Sequence, residues 1–432
     1  MVIIMDEAKS SKMMPTKIMS IGRVRWLMVS LLFFGAIVNY LDRSTMSVAN
    51  TVIADQFDIG PAGMGLLLSA FLWPYALGSL PAGWIIDKVG PKKTLGWSIF
   101  LWSSVTVVSG FATGFLFLFI MRVLLGITES PYFASGVKVT NRWFPKEKRA
   151  FPTSVFNMGP TVAKALSLPL LSAIMLAIGW QGMFISVGLL GFVFVILWVI
   201  IYRDPNAENN FEINNDNTHK SNYQSNVQIS WGMLFKYRST WGMMIGAFGT
   251  NFTLWLYLTW LPGYLETARN MDIMTTGWVA SIPFVAGIFG VPIGGLVSDY
   301  LLRKGLTPIN SRKIPIVVAA ILAAVSVMPV PFISSTSISV LLLSIGFFAS
   351  SVPPSVMWTL NTDVAPQGRV ASLAGIQNFG GFLGGALAPV LTGVIVQTTG
   401  SFKLVFITGS LLCIVAAIGY GIILKKPITN HV

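Results

Sequence analysis

Charge is scarce in this sequence. Asp, Glu, Lys and Arg make up only 10% of its 432 residues, against about 25% in an ordinary soluble domain, while 54% are hydrophobic. Over this length too little polar surface remains to meet water, so lipid is the natural solvent for most of the chain. Cysteine is nearly absent as well. Cys413 lies in a late apolar run, can form no intramolecular disulfide and no cysteine metal cluster, and reads as a buried apolar side chain. The two histidines, His219 and His431, fall in a central polar stretch and in the tail. That position argues against a membrane-embedded histidine relay and a His-ligated metal, and no cofactor is expected. Residues 1–21 are polar and basic and lack the short apolar core and cleavage site of a secretory signal.

What is present is long apolar runs. About 20 apolar residues span a bilayer as a helix, and twelve such runs occur: Leu27–Val48, Gly63–Ile85, Leu95–Ala112, Phe115–Val137, Phe151–Ile178, Met183–Tyr202, Trp241–Leu265, Gly277–Ser298, Ile314–Ile333, Ile338–Leu360, Leu373–Val396 and Val405–Leu424. The expected fold is all-α and integral to the membrane, with twelve transmembrane helices in two pseudo-symmetric six-helix bundles. Its divisions are a tail at 1–26, a first bundle at 27–202, a linker at 203–239, a second bundle at 240–424 and a tail at 425–432. The linker contains Asn209-Asn210 and Asn214-Asn215 and reads as flexible.

The basic residues set orientation. Of 29 Lys and Arg, three lie inside runs (Arg43, Arg122, Lys164) and two on the side opposite the termini (Arg269, Lys403), which leaves 24 on the side of the termini. Both termini are therefore expected to be cytoplasmic. The formal charge of +13 follows from this asymmetry and needs no nucleic-acid partner, whose footprint would be a basic stripe on a soluble face.

The halves echo each other. Gly83-Trp84-Ile85-Ile86-Asp87 closes the second run and Gly295-Leu296-Val297-Ser298-Asp299 the eighth; Asn157-Met158-Gly159 precedes Pro169 in the fifth, and Asn378-Phe379-Gly380 precedes Pro389 in the eleventh. Duplicated halves place a substrate site at mid-membrane between them.

The segment Gly83–Lys93, with Asp87, Lys88, Gly90, Lys92 and Lys93 at their spacings, resembles the cytoplasmic signature of the major facilitator superfamily, and with the partial copy after the eighth run the resemblance covers nearly the whole chain. Asn39-Tyr40-Leu41-Asp42-Arg43, then Arg122, Gly126, Glu129 and Pro131, then Arg142-Trp143-Phe144-Pro145 with Arg149-Ala150, and Leu254-Trp255 with Thr259-Trp260 and Pro262 resemble its anion:cation symporter branch. That branch includes bacterial galactonate, glucarate and hexuronate transporters and animal vesicular glutamate and sialic acid carriers. The resemblance implies transport of a carboxylate with protons. It also implies that Tyr40, Tyr75, Trp358 and Asn378 line a sugar-acid pocket. Pro160 and Ala247 stand where that branch tends to have glutamine.

Charge inside a span is costly, by a few kcal/mol on the lenient scale, so Asp42, Arg43, Arg122, Glu129 and Lys164 are candidates for function. Arg122 and Glu129 are two turns apart on one face, about 10 Å; Tyr40 and Arg43 also share a face, whereas Asp42 and Arg43 are adjacent and diverge. Arg43 and Arg122 are assigned to hold a carboxylate, and Asp42 and Glu129 to carry protons. In the empty cavity each carboxylate pairs with an arginine; an arriving anion competes for the arginines and favours protonation of the freed acid, and linkage makes the effect reciprocal. The alternative is that these are ion pairs that fix helix packing. Lys164 is either an extra contact, suited to a second carboxylate, or a lysine that pairs with Asp42 or Glu129 or snorkels. Gln377 and Asn378 can complete the site. Asp87, Lys88, Lys92 and Asp299 are too near the termini side to touch substrate and are read as gating residues. Gly380, Gly381, Gly384 and Gly385 permit close helix approach.

The leading reading is a proton-coupled organic-anion symporter that acts as a monomer in the inner membrane. The alternative is drug/proton antiport: Met158-Gly159-Pro160 faintly resembles the antiporter signature, but Ala163-Lys164 replaces its following glycines. An embedded enzyme or a non-transporting receptor is a third class, and no catalytic Ser–His pair or phosphate loop supports it.

Overall fold

Residues 15–144, 150–205, 231–366 and 369–428 are described by the computed structural model. No strand occurs among them. In hydrocarbon each backbone N–H must find a carbonyl within its own segment, and the helix does this residue by residue. The elements are α1 (Pro15–Val48), α2 (Asn50–Gln56), α3 (Pro61–Ser69), α4 (Leu72–Val89), α5 (Pro91–Ser109), α6 (Phe115–Glu129), α7 (Pro131–Trp143) and α8 (Ala150–Ile201) in the first half. The second half holds α9 (Arg238–Arg269), α10 (Ile273–Arg303), α11 (Pro308–Val327), α12 (Thr336–Ser350), α13 (Pro353–Val364), α14 (Val370–Thr399) and α15 (Lys403–Ile418).

Nine helical stretches among the described residues are long and apolar enough to cross a membrane. One of them, Val155–Ile201, covers nearly all of the fifth and the sixth expected runs. The chain turns there at Ile178 (φ −135°, ψ 16°) and Gly179 (φ 74°, ψ 169°) inside α8, and a positive φ of that kind is open to glycine without strain. The third and seventh expected runs are α5 and α9. They fall outside the nine, and their buried hydroxyls are satisfied locally: Thr106 donates to the Trp102 carbonyl at 3.0 Å and Thr250 to the Ala247 carbonyl at 3.1 Å. Three expected runs are each split between two α-helices, and the ninth leaves its α-helix at Met328-Pro329. The second breaks at Ala70-Phe71, the fourth at Ser130 and the tenth at Ser351-Val352, with Pro131 and Pro353 opening the following helices; proline has no N–H to continue the ladder.

The surface is inverted relative to a soluble protein. Leu77, Trp97, Leu116, Ile200 and Leu296 are each more than 60% exposed, as lipid-facing side chains must be, while Asp42 and Glu129 are fully buried. Helix approach is set by small residues. A Cβ at Gly380 or Gly384 of α14 would strike the Met244 or Phe248 carbonyl of α9, which gives the glycine run its packing role.

The two halves meet from mid-depth to the side away from the termini. Ser47 donates to the Thr259 carbonyl (3.0 Å), the Ala62 N–H to Gln397 Oε1 (3.0 Å), Ser69 to the Ala386 carbonyl (2.7 Å) and Thr51 to Glu266. Toward the termini, a Cβ on Gly83, Gly295 or Gly375 would meet open space.

Candidate transport site

Five ionisable side chains converge at mid-depth on α1, α6 and α8. Arg43 leaves α1 toward α6, where its Nε donates to Glu129 Oε2 at 2.8 Å. Its guanidinium carbon lies 4.7 Å from the ring centres of Tyr40, Phe71 and Tyr75 alike. Three ring faces and one carboxylate therefore fix the planar group, and its buried Nη2 remains without a partner. Arg122, one end of the two-turn spacing to Glu129, is 5% exposed and lies 5.2 Å from the Phe71 ring. Its Nε and Nη1 are buried and unpartnered. A ring contact offers about 0.5–2 kcal/mol, less than the few kcal/mol a charge costs at depth, so an anion arriving at Arg122 meets donors already stripped of water.

The expectation that each carboxylate pairs with an arginine holds for Glu129 and not for Asp42. Adjacent on α1, Asp42 turns away from Arg43, and neither of its buried oxygens has a partner. Lys164 lies 5.2 Å from the Tyr40 ring, and neither it nor Arg122 forms an ion pair with a described carboxylate.

Of the polar candidates, Tyr40 and Tyr75 are at the cluster and Tyr75 also meets Phe382 of α14, ring centres 6.1 Å apart. Trp358 is 61% exposed and Asn378 is exposed. Gln377 is placed elsewhere: it is buried inside the second half, accepts from Asn361 and donates to the Tyr420 hydroxyl at 2.7 Å, so its hydrogen bonds are committed there.

Among the gating candidates, Asp299 Oδ1 accepts from Arg312 at 2.7 Å, and Arg312 also lies 3.5 Å from Asp363. Lys88 sits 4.4 Å from the Trp84 ring, and the Lys92 carbonyl accepts from Trp198 at 3.0 Å. Asp87 is in α4, its side chain outside the described residues. Pro145, Lys146, Lys148, Arg149, the Asn-rich linker stretch, His219 and His431 also lie outside them.

Three residues escaped the sequence reading of the site. Phe71 carries both arginines, and an apolar residue gives no signal of that. Asn39 is fully buried with both amide atoms unpartnered; it was visible as the first residue of a motif but given no role. Glu266 lies one residue past the boundary expected for the seventh run.

A family model described as the Major Facilitator Superfamily matches residues 32–389. The chain belongs to the Major Facilitator Superfamily. It is a multi-pass membrane transporter and not an enzyme. It is similar to the probable L-galactonate transporter of Escherichia coli K12, 37% identical over 95% of this chain and 91% of that one. The probable galactarate/D-glucarate transporter GarP of the same organism is 32% identical over 90% and 92%. The hexuronate transporter of Bacillus subtilis is 30% identical over 90% and 92%. Among solved structures, a bacterial homolog of the human lysosomal transporter Spinster superposes with a TM-score of 0.75 at 16% identity, covering 92% of this chain and 96% of that one. The D-xylose-proton symporter does so at 0.71 and 13%, covering 92% and 97%. These superfamily members share the fold.

Proposed function

We propose that this transporter carries a sugar-acid anion together with protons, by alternating access. The observation that carries the reading is the buried Arg43–Glu129 pair beside two cations, Arg122 and Lys164, that hold no carboxylate. The names of its relatives supply the substrate class: galactonate, galactarate, glucarate and hexuronates.

Coupling follows from competition for Arg43. Protonating Glu129 releases the guanidinium, which then accepts the substrate carboxylate with its planar fork. Proton and anion thus favour each other's binding, and the linkage is reciprocal. Asp42, enclosed behind Arg43, is the second protonation site. The bundles at 27–202 and 240–424 rock about the far-side contacts, with Asp87, Lys88, Lys92 and Asp299 gating the termini side. With 24 basic residues on that side, both termini face the cytoplasm of a bacterial inner membrane. We read the transporter as working as a monomer. A cationic drug would meet three cations here, which disfavours antiport of that class.

The test is uptake of labelled galactonate by purified protein in proteoliposomes. An inward proton gradient should drive accumulation above equilibrium, and a protonophore should abolish it. Uptake that falls under that gradient, or binding without flux, contradicts the reading.

A further inference from the structure

Lys164 has no task in the coupling scheme. It lies fourteen residues from Ala150 and from Ile178, at the ends of its span, about 21 Å from either at 1.5 Å per residue. No lysine side chain reaches the interface from there, so snorkelling does not explain it. Pairing does not explain it either, because no described carboxylate lies within ion-pair distance.

Its position is also fixed. A Cβ at Gly159 would meet the Phe33 carbonyl at 2.7 Å, so the backbones of α8 and α1 approach closely five residues before Lys164. Nearly one turn after it, Ser167 donates to Ser44 at 3.1 Å. Between these two ties, Lys164 Nζ and the Arg43 guanidinium attend one ring, 5.2 Å and 4.7 Å from the Tyr40 centre. The two cations are thus no more than about 10 Å apart. An extended six-carbon chain with a carboxylate at each end bridges a gap of that order.

We propose that Lys164 is a second anchor of the substrate site and that this transporter prefers sugar acids with a carboxylate at both ends over those with one. The inference rests on the anion-transport reading above. Charge balance supports it. Arg43, Arg122 and Lys164 face Asp42 and Glu129, which leaves one positive charge in excess. One proton, on Glu129, raises that excess to two, which a dianion neutralises; a second, on Asp42, raises it to three, and a dianion then still leaves less charge than a monoanion does. Without Lys164 the same site with one proton is balanced by a monoanion, and at mid-depth an unbalanced charge costs a few kcal/mol.

The test is competition for uptake of labelled galactonate in proteoliposomes by unlabelled galactarate (two carboxylates) and galactonate (one), in wild type, Lys164→Gln and Lys164→Arg. Wild type should be inhibited by galactarate at a concentration at least tenfold lower than by galactonate. Lys164→Gln should cut that ratio at least threefold, and Lys164→Arg should keep it. Because the ratio is taken within each variant, it does not depend on the amount of folded protein; if Lys164→Gln yields no active protein, the wild-type preference and the Lys164→Arg ratio decide. A wild type that favours galactonate, or a ratio that Lys164→Gln leaves within threefold, overturns the inference and leaves anion transport standing. If neither acid is transported or competes, the transport reading itself fails.

Discussion

Arg43 on α1 and Glu129 at the end of α6 form a 2.8 Å ion pair with the carboxylate fully buried and the guanidinium side chain 8% exposed. A pair so placed is a weak stabiliser for the cost of its assembly, whereas removing one partner strands a buried charge at about 3–5 kcal/mol. In the proposed mechanism Arg43 is also the donor that substrate captures.

Arg43→Lys keeps the charge and loses both the planar fork and the three-ring stack. Galactonate affinity should fall at least tenfold, about 1.4 kcal/mol, with folding retained. Arg43→Ala should in addition lower the melting temperature of detergent-purified protein. Binding by isothermal titration and a thermal-shift assay separate the two effects. Unchanged affinity in Arg43→Lys would remove Arg43 from the site.

The far-side closure should be breakable at one glycine. A Cβ at Gly65 of α3 would sit 2.5 Å from the Pro389 carbonyl of α14, so Gly65→Val forces the halves apart there. Labelling of an introduced Asn50→Cys by a membrane-impermeant maleimide added on that side should accelerate severalfold. The native Cys413, 2% exposed, gives little background. Labelling no faster than in Asn50→Cys alone would show that the two sides are not coupled through this contact.

Outside the spans, Asp272 caps α10: its carboxylate accepts from the Thr275 hydroxyl and from the Thr275 N–H at 3.0 Å. The Thr275 hydroxyl, then that N–H, holds the carboxyl below its usual range. The cap's contribution should therefore be complete above the ordinary carboxylate value near pH 4 and fade as pH falls through the lowered one. Asp272→Ala should lower the melting temperature slightly at pH 7, by an amount that shrinks as pH falls below the ordinary carboxylate value. Melting curves across pH check this, and Asp272→Asn, which retains a capping oxygen, should lose less.

Each apolar run falls mainly on helix, because backbone satisfaction in lipid permits little else, while the short α2 (Asn50–Gln56) lay outside all of them. Breaks were less legible. The turn at Gly179 was placed, between a fifth run ending at Ile178 and a sixth starting at Met183, but the breaks at Ala70-Phe71, Ser130 and Ser351-Val352 fall inside runs read as single spans. The charged cluster was legible because ionisable residues are rare at depth, and the divergence of Asp42 from Arg43 followed from helical geometry. Which arginine holds which acid was not, since the choice depends on Phe71 and on the tilt of α6 against α1. Gln377 was read together with Asn378 as completing the site, but one residue is a 100° turn of a helix, and Gln377 faces Asn361 and Tyr420 instead.

The central claim is that proton and anion meet at the Arg43–Glu129 pair, and Glu129→Gln tests it most directly. In proteoliposomes this variant should still exchange internal for external labelled galactonate at equal concentrations, a step that needs no proton gradient. It should fail to accumulate galactonate against its gradient when protons are driven inward. Uphill accumulation at the wild-type level would contradict the account.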